Sequence, residues 1–225
     1  VRTGVSQSCA DITQARMDEY GWDVVLVSAH LGARYGDGGD NFTNHFWWQG
    51  KFYSRSGKDK RFPPFSVCGE GDIQGIFGAN CRHSMGPGDG INNPYKDFDS
   101  EENRQRYDLE QKQRAMERRI RDIKRECIGL KTAVDNAQNP ETKLKLEEVY
   151  RKKCLLLEKH NLQYNQFCKE NGLKRLPERL QTAQWDRAQA KASLRAVESV
   201  RLKETLKMPG LMHIVPAGTT IEEIR

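Results

Sequence analysis

Hydrophobic positions follow two different rhythms along the 225 residues of this chain. Before about residue 97 they come in short bursts between glycines; after Ser100 they recur at helical intervals. Val5 to Glu19 predicts a short helix ended by Gly21, with Ile12, Ala15 and Met17 as a weak apolar face. Trp22 to Ala29 (WDVVLVSA) is rich in β-branched residues and bounded by Gly and His, which predicts a buried strand. Gly32 to Asp40 carries four glycines and reads as a loop, and Trp47 to Tyr53 (WWQGKFY) predicts a second strand with aromatic partners. Phe62-Pro63-Pro64-Phe65 is an extended stop. The Gly-rich stretch Gly69 to Gly78 then leads into Asn80-Cys81-Arg82-His83.

In the second half, Met116, Ile120, Ile123, Cys127, Leu130 and Val134 recur at spacings of 4, 3, 4, 3 and 4, a heptad seam. Ser100 with Asn103, and the early Glu101 and Glu102, suit its helix start, because carboxylates favour the positive end of the helix dipole. Asn136 to Pro140 predicts a turn with Pro140 in the first turn of the next helix. Leu146, Tyr150, Leu157, Tyr164 and Phe167 continue a matching stripe to a stop at Asn171-Gly172. Two such stripes need each other, so an antiparallel helical hairpin follows. A third helix is expected from Pro177 to about Leu206, with Leu180, Trp185, Ala188, Ala192, Leu194 and Val197 on its apolar face. Met208-Pro209-Gly210 ends it, Met212 to Val215 reads as a short strand, and Thr220 with Glu223 fits a capping box. The expected fold is therefore α+β: a small Gly-rich module over 1–97, a hairpin plus third helix over 98–208, and a tail over 209–225.

Composition sharpens this division. Fifteen of the 19 glycines precede residue 98. Residues 1–97 carry 10 basic and 11 acidic side chains, against 27 and 20 in 98–225, so the whole positive excess lies in the helical half. That tilt suits nucleic acid or an acidic protein surface, although salt-bridged helices look the same. No run of about 18 apolar residues predicts a membrane span, and no signal peptide is visible. Three of the six cysteines fall in charged helical sequence, which favours reduced thiols over a disulfide framework.

Chemistry concentrates in the first half. His30, His45, Cys68, Cys81 and His83 are imidazoles and thiols, the donors Zn2+ prefers in tetrahedral sites. A metal staple answers a physical need, since a glycine-rich module has little core. The bland alternative packs Cys81 in the core and lets His83 bond a loop carbonyl. Cys81-Arg82-His83 is tighter than the usual C-x2–4-C knuckle. No protease motif surrounds Cys81, and there is no G-x-S-x-G elbow or phosphate-binding glycine loop. Arg55, Lys58, Lys60 and Arg61, interleaved with Phe52, Tyr53 and Phe62, resemble a surface for single-stranded nucleic acid, or else a solvated hairpin tip. Arg118, Arg119, Arg121, Lys124 and Arg125 form a denser run. Glu117, Asp122 and Glu126 between them favour a salt-bridged face.

Read together, three motifs carry a resemblance. They are His30-Leu31-Gly32-Ala33-Arg34, Trp48-Gln49-Gly50-Lys51, and Gly78-Ala79-Asn80-Cys81-Arg82-His83, in that order. With Gln111 to Arg114, Lys124-Arg125-Glu126 and the Phe167 to Leu173 segment, the chain resembles the phage minor capsid protein 2 family, distantly similar to head morphogenesis proteins of the Mu gpF type. The resemblance implies a structural virion protein of the phage head interior or portal vertex, acting in head assembly and in DNA packaging or ejection, and present in the host bacterial cytoplasm during assembly. Its implied partners are portal, capsid or scaffold proteins and packaged DNA, with no membrane or small-molecule substrate. Family members are typically longer at the N-terminus, which fits a chain beginning at Val1. Two readings stand beside this one: a zinc-dependent enzyme or toxin-like module built on His30, Cys81 and His83, and a DNA-binding accessory protein using the basic helices.

Overall fold

The computed structural model describes residues 2–206. The chain forms two compact units with the boundary between Gln111 and Lys112. The fold is α+β, with a small sheet early in the chain and a helical hairpin after it.

In the first unit, helix α1 (Arg2–Glu19) precedes strand β1 (Val24–Val27). Gly21, at φ 61°, makes the turn between them in the left-handed region that glycine enters without strain. Ala10 and Met17, two turns apart, are the buried face of α1, while Ile12 is 65% exposed. Strand β1 is the centre of a three-stranded antiparallel sheet, flanked by β2 (Phe52–Ser54) and β3 (Met85–Pro87). Val25 pairs with Tyr53 on one side and Pro87 on the other. Proline has no N–H to offer a ladder, so Met85-Gly86-Pro87 suits an edge and shows no strand pattern in sequence.

The expected strand over Trp47 to Tyr53 is only half right. His45–Trp48 is a short helix, α2, started by Asn44, whose side chain accepts from the Trp47 N–H. Gly50 at φ 67° then swings the chain into β2. The aromatic run therefore turns a corner: Trp48 points into the core on the helix, and Tyr53 on the strand. They join Val25, Val27, Phe65, Cys68, Ile76 and Phe77 in one apolar cluster.

The Gly-rich stretch is a tight coil. Amide groups of Asp72, Gly75, Ile76, Gly78, Ala79 and Cys81 each bond a carbonyl a few residues back. A Cβ at Gly75 would lie 2.0 Å from the Gly69 carbonyl oxygen, and one at Gly78 would lie 2.3 Å from that of Ile73. These glycines permit backbone to approach backbone.

Helix α3 (Ser100–Asn136) begins in the first unit. Asp99, not Ser100, caps it, accepting from the Glu102 N–H at 2.9 Å. Asn103, one turn further on, serves the loop at residues 32 and 33. Fully buried, it accepts from the Gly32 and Ala33 N–H groups, both at 2.8 Å, and donates to the Ala33 carbonyl at 3.0 Å.

The second unit holds the hairpin of α3 with α4 (Pro140–Glu170). Asn139 caps α4 through the Glu141 and Thr142 N–H groups, and Pro140 sits in the first turn. Gln113 meets Cys168, and Glu117 meets Tyr164. The free thiols of Cys127 and Cys154 are hydrogen-bonded to each other. Each advance along α3 is thus matched by an equal retreat along α4, the register of an antiparallel pair. Ile120, Ile123, Cys127 and Val134 are buried in the seam with Tyr150, Leu157 and Tyr164. Met116, Leu130 and Phe167 are only half-buried. At one end the seam turns polar: Gln113 and Glu117 are buried there.

The third helix does not begin at Pro177. Pro177–Leu180 is a 3-10 turn, and α5 spans Arg187–Leu206. Gln184 at φ 65° breaks the chain between them, and Asp186 caps α5 by accepting from the Gln189 N–H at 2.8 Å. Trp185 therefore lies outside the helix, with the Lys124 ammonium 5.5 Å from its ring centre. The expected strand at Met212 to Val215 and the turn at Thr219 to Arg225 lie outside the described residues.

Candidate functional site

The three sequence motifs meet at one point in the first unit. Gln49, from the turn after α2, accepts from the His30 N–H at 3.0 Å and also lies 3.0 Å from His83 Nε2. A backbone N–H can only donate, so the Gln49 atom facing it is the carbonyl oxygen. His83 must then donate from Nε2, which leaves its Nδ1 with the lone pair. That Nδ1 lies 3.5 Å from Cys81 Sγ.

The same logic fixes His45. Its Nε2 is 2.7 Å from the Gln74 carbonyl oxygen, which only accepts. Nε2 carries the hydrogen, and Nδ1 is left as the lone-pair nitrogen. His45, Cys81 and His83 each present one donor atom, and these atoms lie within 4.8 Å of one another. Both imidazoles are buried.

Burial sets the protonation. It lowers His45 to about 4 against a bond to the Gln74 carbonyl, with Arg34 and His30 adding to the fall. It pushes His83 well below the usual range, helped by the charges of His30, His45, Arg82 and Arg34. It raises the Cys81 thiol, partly offset by backbone hydrogen bonds. Cys81 and His83 therefore rest as a neutral thiol and a neutral imidazole. A nucleophilic Cys–His pair needs thiolate beside imidazolium, the reverse arrangement.

Two arginines hold the surrounding loops. Arg34 donates to the Gln74 and Ala79 carbonyls at 2.8 and 2.6 Å. Arg82 donates to the Gly32 carbonyl at 3.0 Å and pairs with Glu110 at 3.0 Å. Asn80 at φ 61° adopts the left-handed conformation that Asn tolerates best among side chains with a Cβ. The rings of His45 and Trp48 pack edgewise on His83, with centroids 5.4 and 4.7 Å away.

The other two sequence candidates sit differently. His30 stacks on His83, centroids 4.4 Å apart and planes 23° from parallel, with its Nδ1 3.2 Å from Arg82 Nη2. It covers the cluster face-on. Cys68 is wholly buried in the apolar core, its thiol pushed up to about 12 by burial against a hydrogen bond to Tyr53. Sequence reasoning overlooked Gln49 and the two arginines as site residues, although each stood inside a quoted motif.

The basic candidates are placed against local partners. Arg55 pairs with Asp18 at 2.7 Å and Arg61 with Asp59 at 2.6 Å, while Lys60 donates to the Gly57 carbonyl at 2.9 Å. Tyr53 points inward and donates to the Trp48 carbonyl at 2.6 Å. Lys58 is exposed. On α3, Arg121 and Lys124 donate to the Arg179 and Leu180 carbonyls at 2.6 and 2.8 Å. Arg125 pairs with Asp122 at 2.5 Å and Arg119 with Glu126 at 4.0 Å. Arg118 is exposed. The run thus fastens the 3-10 turn and neutralises neighbouring carboxylates more than it presents a continuous positive stripe.

The model of the phage minor capsid protein 2 family matches residues 1–154, which takes in all three motifs, α3 and the first half of α4. The chain belongs to that family. No curated protein and no solved structure matches it. Membership makes this minor capsid protein a structural component of the phage virion, made to interact with other virion proteins. Among the described residues, no helix is long and apolar enough to cross a membrane.

Proposed function

We propose that this minor capsid protein acts in head assembly at the portal vertex, and that the turn end of its helical hairpin makes the contact with portal or neighbouring capsid protein. The observation that supports this is how little that end buries. Helix α4 starts at Pro140, yet its first buried residue is Tyr150. Before it, Leu144 is 66% and Val149 is 47% exposed. At about 3.6 residues per turn, α4 runs nearly three turns before its first buried side chain, with Leu146 half-buried on the way. Those turns are held by local pairs, such as Lys145 with Glu141 at 2.6 Å and Lys152 with Glu148 at 2.6 Å. Such solvent-exposed pairs contribute little to stability. A helix end that projects apolar side chains with so little packing suits docking on another protein.

The test is capture of the purified portal oligomer by the immobilised protein. Leu144→Asp with Val149→Asp abolishes capture on this reading and leaves far-UV circular dichroism unchanged. Retained capture by that double variant overturns the assignment of the contact to the hairpin end. Failure of the unaltered protein to capture portal, with its presence in purified virions shown by mass spectrometry, overturns the portal assignment while leaving the virion role intact. The DNA-binding alternative predicts instead a DNA affinity that falls steeply with salt and is lost on charge reversal at Arg118, Arg121 and Lys124.

A further inference from the structure

We infer that His45, Cys81 and His83 form a Zn2+ site that closes the Gly-rich loop of the first unit onto α2. The strongest support is geometric. With Zn–S of about 2.3 Å and Zn–N of about 2.05 Å, two ligands at a tetrahedral angle stand about 3.6 Å apart. Cys81 Sγ and His83 Nδ1 stand 3.5 Å apart. The pair therefore already has the edge of a zinc tetrahedron. The remaining separations are no more than 4.8 Å, so they need to close by at most about 1.2 Å for a sulfur–nitrogen edge and about 1.5 Å for the nitrogen–nitrogen edge of about 3.3 Å.

The second support is the state of the nitrogens. Metal-binding imidazoles usually donate their other N–H to an oxygen that fixes the tautomer and aims the ring. Both rings here do so, His45 to the Gln74 carbonyl and His83 to the Gln49 side chain. Gln49 is itself held by the His30 N–H. The lone pairs left over are the two Nδ1 atoms. A lone S–H···N hydrogen bond between Cys81 and His83 would require neither His45 beside it nor this pair of second oxygen partners.

Softness selects the ion. One thiolate and two imidazoles suit Zn2+, whereas Mg2+ and Ca2+ want oxygen. Binding converts the Cys81 thiol to thiolate and releases its proton to solvent, with no change of oxidation state. The fourth position falls to water. His83 also lines a cavity of about 190 Å3 with Arg82, Ser84 and Met85 on one side and Cys9 and Ala10 of α1 on another. The ion ties residues 45, 81 and 83 together in a module otherwise held by one apolar cluster and the hydrogen bonds of its loops.

Elemental analysis of the full chain, purified without chelator and dialysed, tests the site directly. The expected result is one zinc per chain, lost in Cys81→Ser and in His83→Gln and kept in two controls, Cys9→Ser at an exposed thiol and His160→Gln at a half-buried histidine of the second unit. Gln49→Leu, which keeps all three ligands, is expected to weaken Zn2+ affinity by roughly 10- to 100-fold. Should the ligand variants fail to fold, Co2+ added to the metal-free unaltered protein decides the matter. Tetrahedral d–d bands together with a sulfur-to-cobalt charge-transfer band support the site. Co2+ binding without that sulfur band overturns it, as does a zinc content in the unaltered protein no higher than in Cys81→Ser.

Discussion

Replacing Asn103 with alanine should cost the first unit about 3–5 kcal/mol. The side chain is fully buried and makes three hydrogen bonds to the backbone of Gly32 and Ala33, at 2.8, 2.8 and 3.0 Å. Truncation leaves two N–H groups and one carbonyl without partners. Each buried polar group so stranded costs about 1–3 kcal/mol, and water entering the vacated space recovers part of the sum. With total stabilities of about 5–15 kcal/mol for ordinary domains, the loss is a large share of what holds the unit together. Urea unfolding followed by tryptophan fluorescence measures it. Trp22, Trp47 and Trp48 precede the unit boundary, so a Trp185→Phe background confines the signal to the first unit. Asn103→Leu separates polar from packing effects. Leucine fills the same space but strands the same three groups, so its loss should match that of alanine. Recovery of stability in Asn103→Leu, or a loss under about 1 kcal/mol in Asn103→Ala, refutes the claim that a buried polar clamp fixes the 30–34 loop.

The two glycines Gly78 and Gly129 should respond to alanine with opposite signs. At Gly78 a Cβ meets backbone 2.3 Å away and forces the loop apart, a loss of about 1–3 kcal/mol. Gly129, within α3, has nothing within 4 Å of that position, and alanine there gains about 0.5–1 kcal/mol, both read from thermal melts. Tyr164→Phe removes a hydroxyl that donates to Glu117 at 3.2 Å and accepts from Gln113 and the Leu176 N–H, each at 3.4 Å. A loss of about 1–2 kcal/mol in the second unit, monitored through Trp185, is expected. Asp23 accepts from Ser54 Oγ at 2.6 Å and the Ser56 N–H at 2.7 Å, and these bonds hold its carboxyl below the usual value of 3.8. Its folded pKa is depressed, so its stabilisation is complete above about pH 4 and fades as pH falls through the folded midpoint. A carboxyl NMR titration with a midpoint at or above the ordinary value contradicts this, as does an unchanged acid limb of stability in Asp23→Asn.

Much of the helical half could be read from sequence because one physical rule governs it. An apolar residue every three or four positions has to face a partner, and Ile120, Ile123 and Cys127 do so against Tyr150, Leu157 and Tyr164. The rule fails where polar residues take seam positions. Gln113 and Glu117 are buried because Tyr164 and the Lys174 carbonyl satisfy them, and nothing local announces those partners. It fails again at Pro177, where a helical pattern of apolar residues continues across a break made by Gln184 and Trp185. In the first half, sequence located the β-branched strand and the imidazole and thiol residues. It gave no sign that Met85-Gly86-Pro87 pairs with β1, since that pairing depends on sheet register 58 residues away in the chain rather than on residue type. Nor did it separate His45 from Cys68 as a neighbour of Cys81 and His83, because spacing alone carries no information on which loop folds back.

The family motifs make physical sense only when taken together. Gly78 allows backbone contact, and Asn80 takes the left-handed turn that follows. Cys81 and His83 are thereby presented on one side, while Arg82 reaches back to the Gly32 carbonyl. Gly32 can receive it because, at φ 78°, its backbone lies close to Arg106 and Glu110 of α3, where a Cβ would stand 3.0 Å from the Arg106 side chain. Gln49 completes the closure by bonding His30 and His83 at once. Change any one motif and the other two lose a partner, so the three form a single structural unit rather than three separate sites. That unit includes the first turns of α3 through Asn103 and Glu110, which is why the first compact body runs to Gln111, past the last of its glycine-rich sequence. A fragment ended at residue 97 would retain every candidate ligand and still lack the side chains that hold the 30–34 loop over them.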